Sequence, residues 1–285
     1  MAKRVIPLIF EDIKLAHTVF AMPFALMGAV LAADGVPGLW ALTWIVVAMV
    51  GARSAAMAFN RLVDAPFDAT HARTAGRPLP SGQANPRHYM AFIAASAALF
   101  VLACWMLNRL ALVLSPVALA IILGYSYTKR FTRWSHLWLG AGLACAPIGA
   151  WIAIRGDIGL PPLLLGLAVA FWVAGFDTLY ACQDVEQDAA AGLHSLPLAL
   201  GLEGALQAAR AFHILMVVAL FGLLFAAGLG WIYFLGVMVT VGLLVYEHAL
   251  VSAEDLTQLP VAFLRINALV GFTLLAATGI ERIIL

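Results

Sequence analysis

Charged side chains are what this sequence has least of. Lys and Arg number 16 and Asp and Glu 15 in 285 residues, 11% together, where a soluble domain carries about 25%. The shortage excludes an ordinary water-exposed globular fold. Cysteine is scarce as well: Cys104, Cys145 and Cys182 are far apart, odd in number and set in or beside apolar stretches. A disulfide framework and a cysteine-based metal site are both excluded by that spacing. Period-two alternation is missing too, which argues against a β-barrel and leaves helices to satisfy the backbone in lipid. The first ten residues are short, hold Pro7 and lead into Glu11 and Asp12, so no cleavable signal pattern is expected. A net charge of +1 gives no reason to expect a nucleic-acid partner, and no obligate protein partner is indicated.

What is present is apolar. Hydrophobic residues make up 64% of the chain and mean hydropathy is +0.98. They fall into nine segments near 15–34, 39–59, 87–107, 110–128, 135–154, 160–181, 207–228, 231–250 and 262–281. Several approach the roughly 20 residues needed to cross a bilayer. The fold class read from this is an all-α, multi-pass integral membrane protein, one transmembrane domain over residues 1–285. The connections at 60–86, 129–134, 182–206 and 251–261 hold most of the polar residues, whereas those at 34–38, 107–110, 154–160 and 228–231 are short. With the N-terminus on the polar side, that side collects 13 of the 16 Lys and Arg residues, and only Arg109, Arg155 and Arg282 fall opposite. The positive-inside rule makes the polar side cytoplasmic.

Two acidic motifs stand at that side. Asn60, Asp64 and Asp68 are spaced i, i+4, i+8, which puts them on one helical face; Asp184 and Asp188 repeat the step. Each motif closes an apolar segment and is followed by a tail containing Gly and Pro, an echo that fits either duplication or two loops with one task. Four carboxylates that converge repel one another unless cations intervene. Hard oxygen ligands of this kind suit Mg²⁺ holding a diphosphate, with Arg61, Arg77, Lys129 and Arg130 as further balancing charge. Pro66 removes an amide inside the first motif and leaves open whether Asp68 continues the face.

Other polar residues carry two readings each. Tyr125 and Lys129, four apart at the end of a segment, either anchor it at the headgroups or point into one cavity. Arg53 lies two turns deeper than Asn60, and Asp177 stands at the same depth before Asp184. Charges inside a membrane helix usually line a cavity. These two either pair with each other, or receive an anionic substrate group and orient it or accept a proton. Lys14 either snorkels to the interface or contacts substrate.

Taken together, the motifs Asn60-x-x-x-Asp64-x-x-x-Asp68, Arg73-Thr74-x-x-Arg77-Pro78-Leu79-Pro80-Ser81-Gly82, Tyr125-x-x-x-Lys129 and Tyr180-Ala181-x-x-Asp184-x-x-x-Asp188, with Gly192 beyond, resemble those of the UbiA superfamily of intramembrane prenyltransferases over nearly the whole chain. The branch containing 4-hydroxybenzoate polyprenyltransferases is the most similar. Tyr246-Glu247-His248-x-Leu250-Val251 also resembles relatives in menaquinone synthesis by the futalosine route. The sequence departs from the pattern at Pro66 and at Lys14, where ubiquinone-type enzymes tend to have arginine.

The resemblance implies nine transmembrane helices around a central cavity open sideways to lipid. It implies that Asn60, Asp64, Asp68, Asp184 and Asp188 hold two Mg²⁺ and a diphosphate, with Arg61 and Lys129 on its oxygens and Tyr125 beside them. Arg53 matches a position facing the carboxylate of an aromatic acceptor. The expected activity is transfer of a polyprenyl group from its diphosphate to an aromatic quinone precursor, in the cytoplasmic membrane of a bacterium or archaeon. The expected catalytic residues are Asp64, Asp68, Asp184, Asp188 and Asp177, and the expected substrate-binding residues Arg53, Asn60, Arg61, Tyr125, Lys129, Arg77 and Lys14. A rival class, a membrane cation transporter, would place acids along the spans and an acidic route to the far side; here they crowd one face.

Overall fold

In the computed structural model, the residues described are 5–13, 21–70, 74–257, 259 and 265–284; Lys14 and Arg73 lie outside them. The elements are helical throughout: α1 (Val5–Asp12), α2 (Met22–Ala33), α3 (Leu39–Asp68), α4 (Pro86–Leu107), α5 (Arg109–Thr128), α6 (Ser135–Arg155), α7 (Leu160–Ala181), α8 (Val185–Ala190), α9 (Leu196–Ala226), α10 (Trp231–Ala249) and α11 (Asn267–Gly279). Among the described residues eight helical spans are long and apolar enough to cross a membrane, and α2 is a shorter apolar helix.

α7 is the most enclosed span and α5 the least. The main core gathers around Trp172, Leu165 and Val173 of α7, with Phe24 of α2, Met216 and Leu220 of α9, Tyr233 of α10 and Val270 of α11. Lipid tails are as apolar as these side chains, so close backbone approach supplies much of the helix–helix attraction. Glycine permits it at two crossings. A Cβ on Gly140 of α6 would run into the Ala170 carbonyl of α7, and one on Gly51 of α3 would sit 2.9 Å from Ser96 O and Phe100 N of α4.

Local chemistry sets the helix ends. Asn85 accepts from the Arg87 amide with Pro86 opening α4. Asn108 accepts from the Ala111 amide and sends its own side-chain amide to Ile152 O (2.7 Å), fastening the α4–α5 turn to the far end of α6. Ser195 caps α9. That helix begins well before the apolar segment at 207–228 and contains a left-handed break at Gly201 (φ 74°). α3 likewise runs past the apolar segment, so the first acidic motif lies on the helix rather than in a loop. Pro66 sits exposed in its last turn and the helix carries on to Asp68.

The ends of the bundle separate by charge. Arg282 pairs with Asp34 in the α2–α3 turn (2.9 Å) and Arg155 with Asp157, both at the end opposite Asp64. Arg61, Arg77, Lys129 and Arg130 gather at the end where α3, α5 and α7 finish.

Candidate active site

At the C-terminal end of α3, Asn60 Nδ2 donates to Asp64 Oδ2 at 2.7 Å. The other Asp64 oxygen lies 3.6 Å from Arg130 Nη2, whose guanidinium also donates to Val63 O and rests over the rings of Phe67 and Tyr127. Asp68 is buried and accepts from Arg77 Nη1 at 2.6 Å, while the Thr74 hydroxyl closes on its carbonyl. α3 stays helical through Pro66 to Asp68, so Asp64 and Asp68 keep their one-turn spacing.

The second motif is built differently. α7 ends in a 3₁₀ turn, Cys182–Asp184, before α8, so Asp184 and Asp188 straddle a junction instead of sharing one α-helix. Asp188 is buried and receives Lys129 Nζ on both oxygens, at 3.3 and 3.4 Å. Lys129 also lies within electrostatic reach of Asp64, and its carbonyl accepts from the His194 amide at 2.7 Å. Lys129 meets Asp188 and the adjacent Arg130 meets Asp64, with Tyr125 one turn earlier on α5. The two motifs therefore flank the same end of α5.

Asp177 pairs with His136 Nδ1 at 2.7 Å, so the Arg53–Asp177 pairing open in the sequence is not the one formed. His136 is fully buried, and its Nε2 faces the Leu196 amide at 3.4 Å. A backbone N–H can only donate, so Nε2 carries the lone pair and Nδ1–H points at the carboxylate. Sequence reasoning missed His136, forty-one positions from its partner. Asp12 escaped it too: this carboxylate of α1 contacts Arg61 and the Tyr89 hydroxyl.

Beneath the polar end opens an apolar cavity of about 390 Å³ between α3, α4, α5 and α6. Asn60 and Tyr125 stand at one end of it and Ile152 and Leu107 at the other. From Asn60 to Ile45 along α3 the span is about 22 Å. Arg53 lines this cavity with a buried Nε that has no hydrogen-bond partner among the described residues. Glu247 and His248 contact Asn267 of α11 and His213 of α9 and do not line the cavity.

Among the described residues no three His, Cys, Asp or Glu side chains gather closely enough to hold one ion unaided. Mg²⁺ seldom asks for that. It keeps waters and binds through one or two carboxylates plus substrate phosphates, and an all-oxygen set split between two facing motifs fits that habit.

Eight apolar helical spans among the described residues, with acids and bases at one end and an apolar chamber below, define a membrane-embedded helical bundle. The profile of the UbiA prenyltransferase family matches residues 21–269, and the chain belongs to that family. It is a prenyltransferase. A 4-hydroxybenzoate octaprenyltransferase of Citrobacter koseri is 33% identical over 249 residues, covering 86% of this chain and 84% of that one. One from Nitrosospira multiformis is 33% identical over 262 residues, covering 91% and 89%. Among solved structures, the apo form of a UbiA homolog from Aeropyrum pernix superposes with a TM-score of 0.84 at 34% identity, over 92% of this chain and 97% of that one. A UbiA homolog from Archaeoglobus fulgidus bound to GPP and Mg²⁺ shares the fold, with a TM-score of 0.68 at 21% identity over 94% and 99%.

Proposed function

We propose that this chain, as a single catalytic domain, transfers a polyprenyl group from its diphosphate to a ring carbon of 4-hydroxybenzoate or a similar aromatic acid, releasing diphosphate. The carrying observation is the placement of Arg53: its buried Nε has no partner and lines the apolar cavity that opens under Asn60 and Tyr125. A buried guanidinium N–H left unsatisfied is costly, and an acceptor carboxylate would satisfy it. The relatives named 4-hydroxybenzoate octaprenyltransferase favour that acceptor. Nothing equivalent favours the futalosine-route precursor, since Glu247 and His248 are turned to α9 and α11.

Asn60, Asp64, Asp68, Asp184 and Asp188 would hold two Mg²⁺, which supply Lewis-acid stabilisation of charge on the leaving diphosphate. Lys129, Arg77 and the free edge of Arg61 bind diphosphate oxygens. Arg77 and Lys129 rest on Asp68 and Asp188 at 2.6–3.4 Å and offset the repulsion among the acids; Mg²⁺ on those carboxylates would free both cations for the diphosphate. The chamber walls, mostly Ala, Leu, Ile and Met, exclude water from the allylic cation formed as the C–O bond breaks. Tyr125 stands between motifs and chamber. Asp177, held by the His136 Nδ1–H, accepts the ring proton. The active site faces the cytoplasm. Purified enzyme given Mg²⁺, a radiolabelled polyprenyl diphosphate and a panel of aromatic acids is expected to yield prenylated 4-hydroxybenzoate and no product with benzene analogues lacking the carboxylate. Transfer only to acceptors without a carboxylate overturns the assignment of Arg53.

A further inference from the structure

Residue Asp12 lies on α1, ahead of the stretch the family profile matches, yet it reaches the first acidic motif. Its side chain is 5% exposed and sits 3.4 Å from Arg61 Nε. Its backbone carbonyl accepts from Arg61 Nε and Nη2, each at 3.4 Å. The other Asp12 oxygen accepts from the hydroxyl of Tyr89, a fully buried residue of α4. α1 is seated there by Ile9 and Ile13, packed with Ala58, Ala84 and Tyr89. Arg61 Nη1 donates to Asn60 Oδ1 at 3.3 Å. A guanidinium only donates, so the Asn60 oxygen must face it, and the Asn60 NH₂ is left for Asp64 Oδ2. The result is one connected network in which Tyr89 and Arg61 both donate to Asp12, Arg61 also donates to Asn60, and Asn60 donates to Asp64, spanning three helices.

We propose that Asp12 is a positioning residue for diphosphate and Mg²⁺ binding, acting through Arg61 to fix the orientation of Asn60 and Asp64. This rests on the reading of the first motif given above. The donor count shows that Asp12 holds Arg61 rather than competing for it. A guanidinium has five N–H groups. Among the described residues Asp12 and Asn60 take three of Arg61's, on Nε, Nη1 and Nη2, which leaves an N–H on each terminal nitrogen for an anion. The Asp12 backbone carbonyl can still accept from Arg61 Nε and Nη2 in such a variant, but losing the carboxylate charge 3.4 Å from Nε loosens the guanidinium, and with it the donor that sets the Asn60 amide.

The test uses the full chain in lipid nanodiscs, titrated calorimetrically with a prenyl thiolodiphosphate in the presence of Mg²⁺, alongside steady-state kinetics. Asp12→Asn is expected to weaken analogue binding about tenfold and Tyr89→Phe, which keeps the ion pair, about fivefold. Both are expected to raise KM for prenyl diphosphate while kcat and the acceptor KM hold. In an Arg61→Met background Asp12→Asn is expected to add nothing. Asp12→Asn or Tyr89→Phe binding the analogue as the wild type does, or Asp12→Asn costing the same factor with and without Arg61, overturns the relay. Wild-type binding by Arg61→Met itself instead overturns the diphosphate role given to Arg61, and so separates the two failures.

Discussion

Single side chains in this site are held by partners that state their task. Asp64 stands between Asn60 and Arg130, and Asp188 under Lys129. Asp64→Ala and Asp184→Ala are each expected to cut turnover by at least about a hundredfold while leaving expression and thermal unfolding near those of the wild type, as read by product formation and by melting in detergent. Arg53 has a different signature, because the role proposed for it is toward the acceptor. Arg53→Ala is expected to raise the acceptor KM about tenfold or more with the prenyl-diphosphate KM little changed; equal losses in both contradict it. The helical step of Asn60, Asp64 and Asp68 was legible in the sequence because that spacing is local. His136 and Asp12 were not. They reach Asp177 and Arg61 from positions 41 and 49 residues away, and no period in a sequence reports a contact made only by packing.

Helices as units were read well where composition alone decides. The span at 160–181 coincides with α7, and those at 87–107, 110–128 and 231–250 end within a residue of α4, α5 and α10. Hydropathy failed where helices leave the bilayer. α3 continues nine residues beyond the apolar segment to carry Asn60, Asp64 and Asp68, since a polar helical turn looks like a loop to an apolar window; α9 starts at Leu196, where Pro197, Gly201 and Gly204 make an apolar helical start read as a loop. The second motif was expected on one helical face, but the 3₁₀ turn at Cys182–Asp184 sets Asp184 and Asp188 on two elements. Close crossings make a prediction at this scale. Gly140→Val, placed against the Ala170 carbonyl, is expected to force α6 from α7 and cost about 1–3 kcal/mol or more of stability, read as a lowered melting temperature. Unchanged melting contradicts the packing account.

The whole molecule is ordered along the membrane normal: acids and bases at one end, an apolar chamber beneath, and Arg155 and Arg282 at the other end. Charge counting found that polarity from sequence, whereas the chamber itself, lined by residues of four helices, had no sequence signature. In intact cells, a cysteine placed at Ser81 is expected to resist a membrane-impermeant maleimide and one at Asp157 to react, against a background freed of Cys104, Cys145 and Cys182. The reverse pattern contradicts the cytoplasmic assignment. The claim beneath all of this is that two acidic motifs, far apart in sequence, act on one diphosphate. Electron paramagnetic resonance of the enzyme loaded with Mn²⁺ and a prenyl thiolodiphosphate tests it most directly. A spin-coupled pair about 3.5–4 Å apart, lost on Asp64→Asn and equally on Asp184→Asn, is the result expected; isolated ions in the wild type, or a coupled pair that survives either substitution, contradict it.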